Sequence, residues 1–195
     1  MLSKDTPKKL FLLDAYALIY RAYFAFAKNP RVNSKGQNTS AAFGFTNVLI
    51  DVIKTEKPTH LAAVFDPPGG SEHRHTEFEA YKAHREEMPE DIRSMIEPIK
   101  DIVRAFNVPM IEIAGHEADD VIGSLAKLAE QRGFTTYMMT PDKDYGQLVS
   151  ETTFIYKPGR GGNPPEILGV KEVCEKFEVE HPLQVIDILG LWGDA

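Results

Sequence analysis

The chain has 195 residues, of which 43% are hydrophobic and 26% charged, so its composition excludes a disordered protein and favours one large or two small domains. No apolar run is long enough to span a membrane, and the first ten residues lack the apolar region of a signal peptide. A single cysteine, Cys174, fits a reducing compartment, so we expect a cytoplasmic protein with no membrane partner. The net charge of −7 argues against a nucleic-acid binder unless the acidic residues have a special role.

Four short runs rich in β-forming residues predict strands. They are Lys9–Leu13, His60–Phe65, Met110–Ile113 and Thr135–Thr140. Amphipathic stretches separate these runs, and this alternation of strands and helices is typical of a mostly parallel sheet with helices on both faces. The predicted fold class is therefore α/β.

Apolar residues at helical spacing predict four longer helices. Their apolar positions span residues 18–26, 43–53, 92–106 and 121–129. Residues 38–40 are candidate caps for the second helix, Pro89 stands near the first turn of the third, and Gly133 closes the fourth. Two shorter helices are predicted over residues 170–177 and 182–191, after a loop rich in glycine and proline at residues 156–165.

The stretch from Asp66 to Pro89 is too long for an ordinary connection between a strand and a helix. It begins with a polar segment rich in turn-forming residues and continues into a charged, weakly amphipathic helix. Such a segment is typical of a functional loop or a mobile element.

Carboxylates follow the predicted strands. Asp14 follows the first, Asp66 the second and Asp142 the fourth, while Glu117 follows the third at the head of a helix. Because the carboxyl ends of parallel strands lie at one edge of a sheet, we expect these groups to converge there. Further acidic residues stand beside them or could join them from the end of the chain: Asp119, Asp120, Asp144 and Asp194. Glu117 and Asp120 are three residues apart, so one helical face could present both.

Any one of these carboxylates could be an ordinary helix cap, but so many together would repel one another and destabilise the fold. Something positive must lie among them. Oxygen ligands without His or Cys at metal-binding spacing indicate Mg²⁺ or Mn²⁺, and this many carboxylates suit two ions. Without these eight carboxylates the net charge would be about +1. The charge of the remaining residues is therefore compatible with DNA binding.

Several basic residues could hold a phosphate backbone, although scattered Lys and Arg side chains are more often simply solvated. They stand near the expected carboxylate edge or in the polar stretch: Arg21, Arg74, Lys82, Arg85 and Lys143. The segment YKAHR at residues 81–85 is the best candidate, because the stretch that contains it begins directly after a metal-type aspartate.

Five segments together resemble one known family. They are FLLDAYALIYRAYFA (11–25), VFD…YKAHR…MPEDI (64–92), GHEADDVIGSLA (115–126), TPDKDYGQLVS (140–150) and ILGLWGDA (188–195). They resemble the 5′-nuclease domain of bacterial DNA polymerase I, a member of the flap endonuclease family. The resemblance implies a PIN-like fold with two metal ions and a helical arch, here about residues 67–89, through which a 5′ single strand passes.

The resemblance also implies a function: metal-dependent hydrolysis of DNA at 5′ ends, flaps, nicks or gaps, by a monomer, with Mg²⁺ or Mn²⁺ as cofactor. The metal ligands it implies are Asp14, Asp66, Glu117, Asp119, Asp120, Asp142, Asp144 and Asp194. It places basic residues of the arch and its base at Arg74, Lys82 and Arg85, with Lys82 and Arg85 orienting the scissile phosphate. Tyr20 matches an aromatic residue that stacks on a base, although its position also suits a buried helical residue.

The chain departs from the family pattern at His116, where Tyr is common, and at Tyr145 and Gly146, which replace a leucine pair. In the family the terminal GD opens a longer motif with a further metal-binding Asp, followed by a helix–hairpin–helix. We therefore expect residues 1–195 to be the N-terminal domain of a longer protein, either a polymerase or a stand-alone exonuclease. Two alternatives remain: a DNA-structure binding module that does not cleave, and a PIN-type ribonuclease.

Overall fold

The structure, a computed structural model, describes residues 7–68, 87–159 and 162–192. The strands within these ranges are β1 (Lys9–Asp14), β2 (His60–Phe65), β3 (Met110–Glu112), β4 (Thr135–Met139), β5 (Thr153–Lys157) and β6 (Glu166–Leu168). The α-helices are α1 (Ala15–Ala25), α2 (Ser40–Asp51), α3 (Glu90–Arg93), α4 (Ile96–Ala105), α5 (Ala118–Gln131), α6 (Val170–Phe177) and α7 (Val185–Trp192). A π-helical turn and two 3₁₀ turns complete the described elements: Val52–Glu56, Asp144–Leu148 and Pro182–Gln184.

The strands form one sheet in the order β3-β2-β1-β4-β5-β6. Parallel pairing joins β1 to β4, β2 to β3 and β4 to β5, whereas β6 runs antiparallel to β5 at one edge. α-Helices connect the first four strands along the chain, and a long connection with a 3₁₀ turn joins β4 to β5. The mostly parallel α/β sheet predicted from the sequence is confirmed, and so are its first four strands. The predicted arch lies mainly outside the described residues.

The third predicted helix is wrong as a single element. Residues 92–106 fall in two helices, α3 and α4, with a turn at Ser94 and Met95 between them. Pro98 gives the physical reason: in an unbroken helix its ring would collide with the carbonyl group of Ser94, four residues earlier. The apolar periodicity continues across the break, so it could not reveal it.

Strands β5 and β6 were not predicted, and Tyr156 and Lys157 belong to β5 rather than to the expected loop. The run TTFIYK is rich in β-forming residues, which is the signal that could have identified β5. Strand β6 has only three residues, and its pairing partner fixes it: Ile155 opposes Leu168 and Lys157 opposes Glu166.

Helix α2 starts at Ser40, within the predicted cap region, and α5 ends before Gly133, whose positive φ of 72° closes it as predicted. At the start of α2 the side chain of Asn38 accepts a hydrogen bond from the Ser40 amide at 3.1 Å. The predicted helix over 170–177 is confirmed as α6, and the last predicted helix begins as a 3₁₀ turn and continues as α7.

The chain divides into two compact units, which we call unit A (Asp14–Lys57 and Ala62–Val121) and unit B (Met1–Leu13, Pro58–Leu61 and Ile122–Ala195). In unit A, helices α1 and α2 approach closely at Gly44. A Cβ atom at this glycine would lie 2.7 Å from the Cβ atom of Ala22, so any larger residue would push the helices apart. Ile19, Leu49 and Ile99 are fully buried in the core of this unit.

In unit B, aromatic rings form part of the core beside β1, β4 and β5. The ring of Phe11 stacks on Tyr137 with centroids 4.8 Å apart and meets Tyr156 edge-on at 5.1 Å. Phe11 and Tyr156 are almost completely buried. Among the described residues, no helix has the length and apolar character needed to cross a membrane.

Thr136 on β4 is completely buried, and among the described residues its hydroxyl group has no hydrogen-bond partner. Thr136→Val replaces this hydroxyl with a methyl group of similar shape and removes the cost of burying it. We expect the free energy of unfolding to rise by about 1 kcal/mol, measured by chemical denaturation.

Thr140→Val is the matched control, because the hydroxyl oxygen of Thr140 accepts a hydrogen bond from the Asp142 amide at 3.2 Å. This substitution should lower the free energy of unfolding by about 1 kcal/mol. Equal destabilisation by both substitutions would show that the Thr136 hydroxyl contributes to stability.

Candidate metal centre

Asp14 lies where β1 ends and α1 begins. One carboxylate oxygen accepts a hydrogen bond from the Ala17 amide at 3.2 Å, so the side chain caps the helix. Only 7% of the residue is exposed. Asp14 thus places a buried carboxylate at the end of β1, where the positive end of the α1 dipole stabilises its charge.

Asp66 follows β2 directly. One of its carboxylate oxygens accepts a hydrogen bond from the Ala118 amide at 2.7 Å. Ala118 is the first residue of α5, so this bond holds Asp66 against the N-terminus of that helix. A charge-assisted bond of this kind is short and stronger than a neutral one. It brings Asp66 next to the segment HEADD, as the sequence predicted for these two regions.

The segment HEADD leads into α5. Glu117 directly precedes the helix and is 7% exposed, whereas Asp119 and Asp120 lie in its first turn and Asp120 is exposed. The carboxylate of Asp119 accepts a hydrogen bond from the Asp120 amide at 2.7 Å. The Glu117 carbonyl accepts a hydrogen bond from the Val121 amide at 3.2 Å, so Glu117 caps the helix. That one helical face presents Glu117 and Asp120 together stays a prediction, and the two differ in burial.

Tyr16 belongs to this part of unit A, and the sequence reasoning missed it. Its ring meets Phe65 edge-on, with centroids 6.1 Å apart. Burial, followed by the negative charges of Asp66 and Glu112, raises the pKa of the Tyr16 hydroxyl. Its place two residues after Asp14 was the available signal. Asp66 is therefore near enough to Tyr16 for its negative charge to act on the hydroxyl group.

A second carboxylate pair lies in unit B, after β4. The Asp142 carboxylate accepts a hydrogen bond from the Asp144 amide at 2.9 Å, and the Asp142 amide donates to the Thr140 hydroxyl at 3.2 Å. Asp142 is exposed, and Asp144 begins the following 3₁₀ turn. Lys143, between them, is half-buried. These bonds hold the Asp142 carboxylate and the backbone of Asp144 at the end of the strand.

The donor chemistry of both groups fits a hard divalent ion, because each consists of carboxylate oxygens at the end of a strand. Within residues 7–68, 87–159 and 162–192, however, no three His, Cys, Asp or Glu side chains are close enough to form a complete metal-binding group. The metal ligands named from the sequence therefore remain a prediction.

The other predicted site residues are distributed as follows. Tyr20 and Arg21 are half-buried on α1, and the ring of Tyr20 lies 6.4 Å from that of Phe24. Four predicted residues lie outside the described residues: Arg74, Lys82, Arg85 and Asp194.

The family described as "5'-3' exonuclease, N-terminal resolvase-like domain" matches residues 9–178 of the chain. A 5'-3' exonuclease of Aquifex aeolicus is 38% identical over 187 residues, which cover 96% of this chain and 62% of the relative. DNA polymerase I of Bacillus subtilis is 37% identical over 188 residues, which cover 96% of this chain and 21% of the relative. The chain therefore spans less than two thirds of either relative.

A solved structure of the bacteriophage T5 D15 flap endonuclease, a pseudo-enzyme–product complex with DNA and metal ions, has a similar fold. Its TM-score is 0.71 at 17% sequence identity, and the match covers 95% of this chain and 66% of that one. The predicted PIN-like nuclease fold is confirmed by this likeness.

The charge of Asp66 can be tested through Tyr16. We expect Asp66→Asn to lower the pKa of Tyr16 toward its ordinary value of roughly 10, while burial still keeps it raised. Nuclear magnetic resonance titration of labelled tyrosine rings measures this pKa, with Tyr16→Phe identifying the signal. Because the folded-state pKa is raised, the neutral hydroxyl stabilises the fold below pH 10, and this stability is lost as the pH rises through the folded-state pKa.

Asp101→Asn serves as the control, since Asp101 is an exposed residue of α4 paired with Arg104. It should leave the Tyr16 pKa unchanged. An equal effect of the two substitutions would mean that the pKa of Tyr16 does not report on Asp66.

Proposed function

The chain belongs to the 5'-3' exonuclease N-terminal, resolvase-like family, and we propose that it hydrolyses DNA phosphodiester bonds at 5′ ends, flaps and nicks in replication and repair. The observation that carries this proposal is the hydrogen bond between Asp66 and the first amide of α5. It supports an acidic centre built from the end of β2 and the segment HEADD. The T5 flap endonuclease, crystallised with DNA and metal ions, is similar in fold and supports DNA as the partner.

We propose that the carboxylates of unit A hold one divalent ion, Mg²⁺ or Mn²⁺. The ligands would be Asp14, Asp66, Glu117, Asp119 and Asp120. A second ion would take Asp142 and Asp144, together with Asp194. The burial of Asp14 and Glu117 supports this assignment, because a bound cation would favour the charged form of buried carboxylates.

A divalent ion, when bound, supplies Lewis acidity and lowers the pKa of water. The chain's own groups do the rest. Backbone amides at the start of α1 and α5 fix one oxygen of Asp14 and of Asp66, which orients these carboxylates before any ligand arrives.

We further propose that Lys82 and Arg85 orient and neutralise the scissile phosphate, and that Arg21, Arg74 and Lys143 contact the DNA backbone. The half-buried ring of Tyr20 could stack on a base. We propose a monomer in the cytoplasm, a location that its single cysteine supports.

Divalent ions should stabilise the fold. Binding to the folded state alone raises the free energy of unfolding by about 2.7 kcal/mol at a hundredfold excess over Kd. We therefore expect the melting temperature to rise with Mg²⁺ or Mn²⁺ relative to EDTA. Asp66→Ala should reduce this rise, whereas Asp101→Ala should keep it. An unchanged melting temperature in millimolar Mn²⁺ would contradict a metal centre in unit A.

Cleavage of a labelled 5′-flap duplex in Mg²⁺ or Mn²⁺ tests the activity, with the chain and the full-length protein assayed side by side. Asp120→Ala should lower the cleavage rate of the active form roughly a hundredfold or more, because it removes a proposed metal ligand. Asp101→Ala, which changes an aspartate outside the centre, should leave the rate unchanged.

The same assay separates the alternatives. Tight flap binding without cleavage by either form would favour a DNA-structure binding module, and cleavage of RNA alone would favour a PIN-type ribonuclease. Equal rates for the wild type and Asp120→Ala would refute the role of Asp120.

A further inference from the structure

Unit B contains a cluster of lysines at the edge of the sheet. Lys157 is the last residue of β5 and lies opposite Glu166 of β6 in the antiparallel register. Its ammonium group is 3.4 Å from a carboxylate oxygen of Glu166, and its side chain is only 20% exposed. The backbone pairing of β5 and β6 therefore fixes where this positive charge lies.

Lys176, on helix α6, adds a second positive charge at the same place. Its ammonium group lies 5.5 Å from the centroid of the Phe177 ring, and a Cβ atom at Gly146, in the turn after Lys143, would lie 3.4 Å from that ring. The positive charge of Lys157 is near enough to act on Lys176. Lys143 is near enough for its charge to act on Lys176 as well. Three ammonium groups thus share this region with the carboxylate of Glu166, in a chain whose net charge is −7.

The arrangement is unfavourable for the protein by itself. The pKa of Lys176 is lowered, first by burial and then by the positive charge of Lys157, while the charge of Glu166 opposes the shift. Glu166 already pairs with Lys157, so it offsets only part of the repulsion. A bound anion would turn this repulsion into attraction, because each ammonium group could donate to it.

A phosphate group suits this cluster. Its several oxygens can accept hydrogen bonds from two or three ammonium groups at once, and lysine binds phosphate as a compact point charge. The side chain of Lys157 is only 20% exposed and pairs with Glu166, so little side-chain freedom remains to be lost on binding.

We propose that Lys157 and Lys176, with Lys143 beside them, form a binding site for a phosphate group. The identity of that phosphate as part of the DNA backbone rests on the proposed function, but the existence of the site does not. The cluster would then contact the substrate through residues that are distant in sequence from the carboxylates of unit A and from the segment YKAHR.

The first arm of the test measures the affinity for a fluorescent 5′-flap duplex at several salt concentrations, with Ca²⁺ in place of Mg²⁺ to slow hydrolysis. Lys157→Gln and Lys176→Gln should each weaken binding about fivefold. Each should also reduce the slope of log K against log salt by about 0.9 if one phosphate contact is lost. Lys171→Gln is the matched control on the same helix, since Lys171 is 79% exposed and pairs with Glu175.

The second arm uses inorganic phosphate as the probe and does not depend on DNA. Melting temperatures are compared in sodium phosphate and sodium chloride at equal pH and ionic strength. Phosphate should raise the melting temperature of the wild type and of Lys171→Gln, and this response should be lost in the double variant Lys157→Gln/Lys176→Gln.

The two arms separate the proposals. If the wild type binds no DNA but responds to phosphate through these lysines, the proposed function fails and the phosphate site stands. If the phosphate response is lost while DNA affinity is unchanged, the site takes free phosphate and the assignment to the DNA backbone is overturned. If the double variant keeps the wild-type DNA affinity, salt slope and phosphate response, the site itself is refuted.

Discussion

The hydrogen bond from the Ala118 amide to the Asp66 carboxylate links the end of β2 to the first turn of α5, and the acidic part of unit A depends on it. It ties the residue after β2 directly to the segment HEADD, about fifty positions later in the chain. The bond also sets Asp66 at the positive end of the helix dipole. A backbone amide therefore compensates part of the carboxylate's charge without a basic side chain.

Other acidic residues also accept a hydrogen bond from a backbone amide. Asp14 accepts from the Ala17 amide, Asp119 from the amide of the next residue, and Asp142 from the Asp144 amide. Each of these carboxylates lies within two residues of the start of a helix or a 3₁₀ turn. Backbone amides can thus orient several carboxylates within a short stretch of chain, which side-chain ion pairs could do only by occupying the space a ligand would need.

The net charge of −7 describes neither unit well. Residues 15–50 contain four basic residues and no Asp or Glu, and the guanidinium group of Arg31 lies 5.3 Å and 5.6 Å from the ring centroids of Phe26 and Phe43. In unit B, lysines gather around Glu166. An acidic protein can therefore present basic surfaces to a polyanion, because its carboxylates are concentrated in a few places.

Local sequence determined the first four strands, the bounds of α6 and the chemical type of the acidic centre. Apolar runs and apolar periodicity show, within a short stretch of sequence, which side chains are buried. An aspartate that ends such a run must therefore lie at the end of the strand. The break at Ser94 is also local in origin, because Pro98 excludes an unbroken helix, although the apolar pattern does not show it. Tertiary structure decided the rest. The three-residue strand β6 exists only through its pairing with β5, and burial, followed by the negative charge of Asp66, raises the pKa of Tyr16. Likewise, Lys157 and Lys176 are nineteen residues apart in the sequence, and their meeting required the register of β5 and β6 and the packing of α6, because contacts between distant residues leave no local pattern.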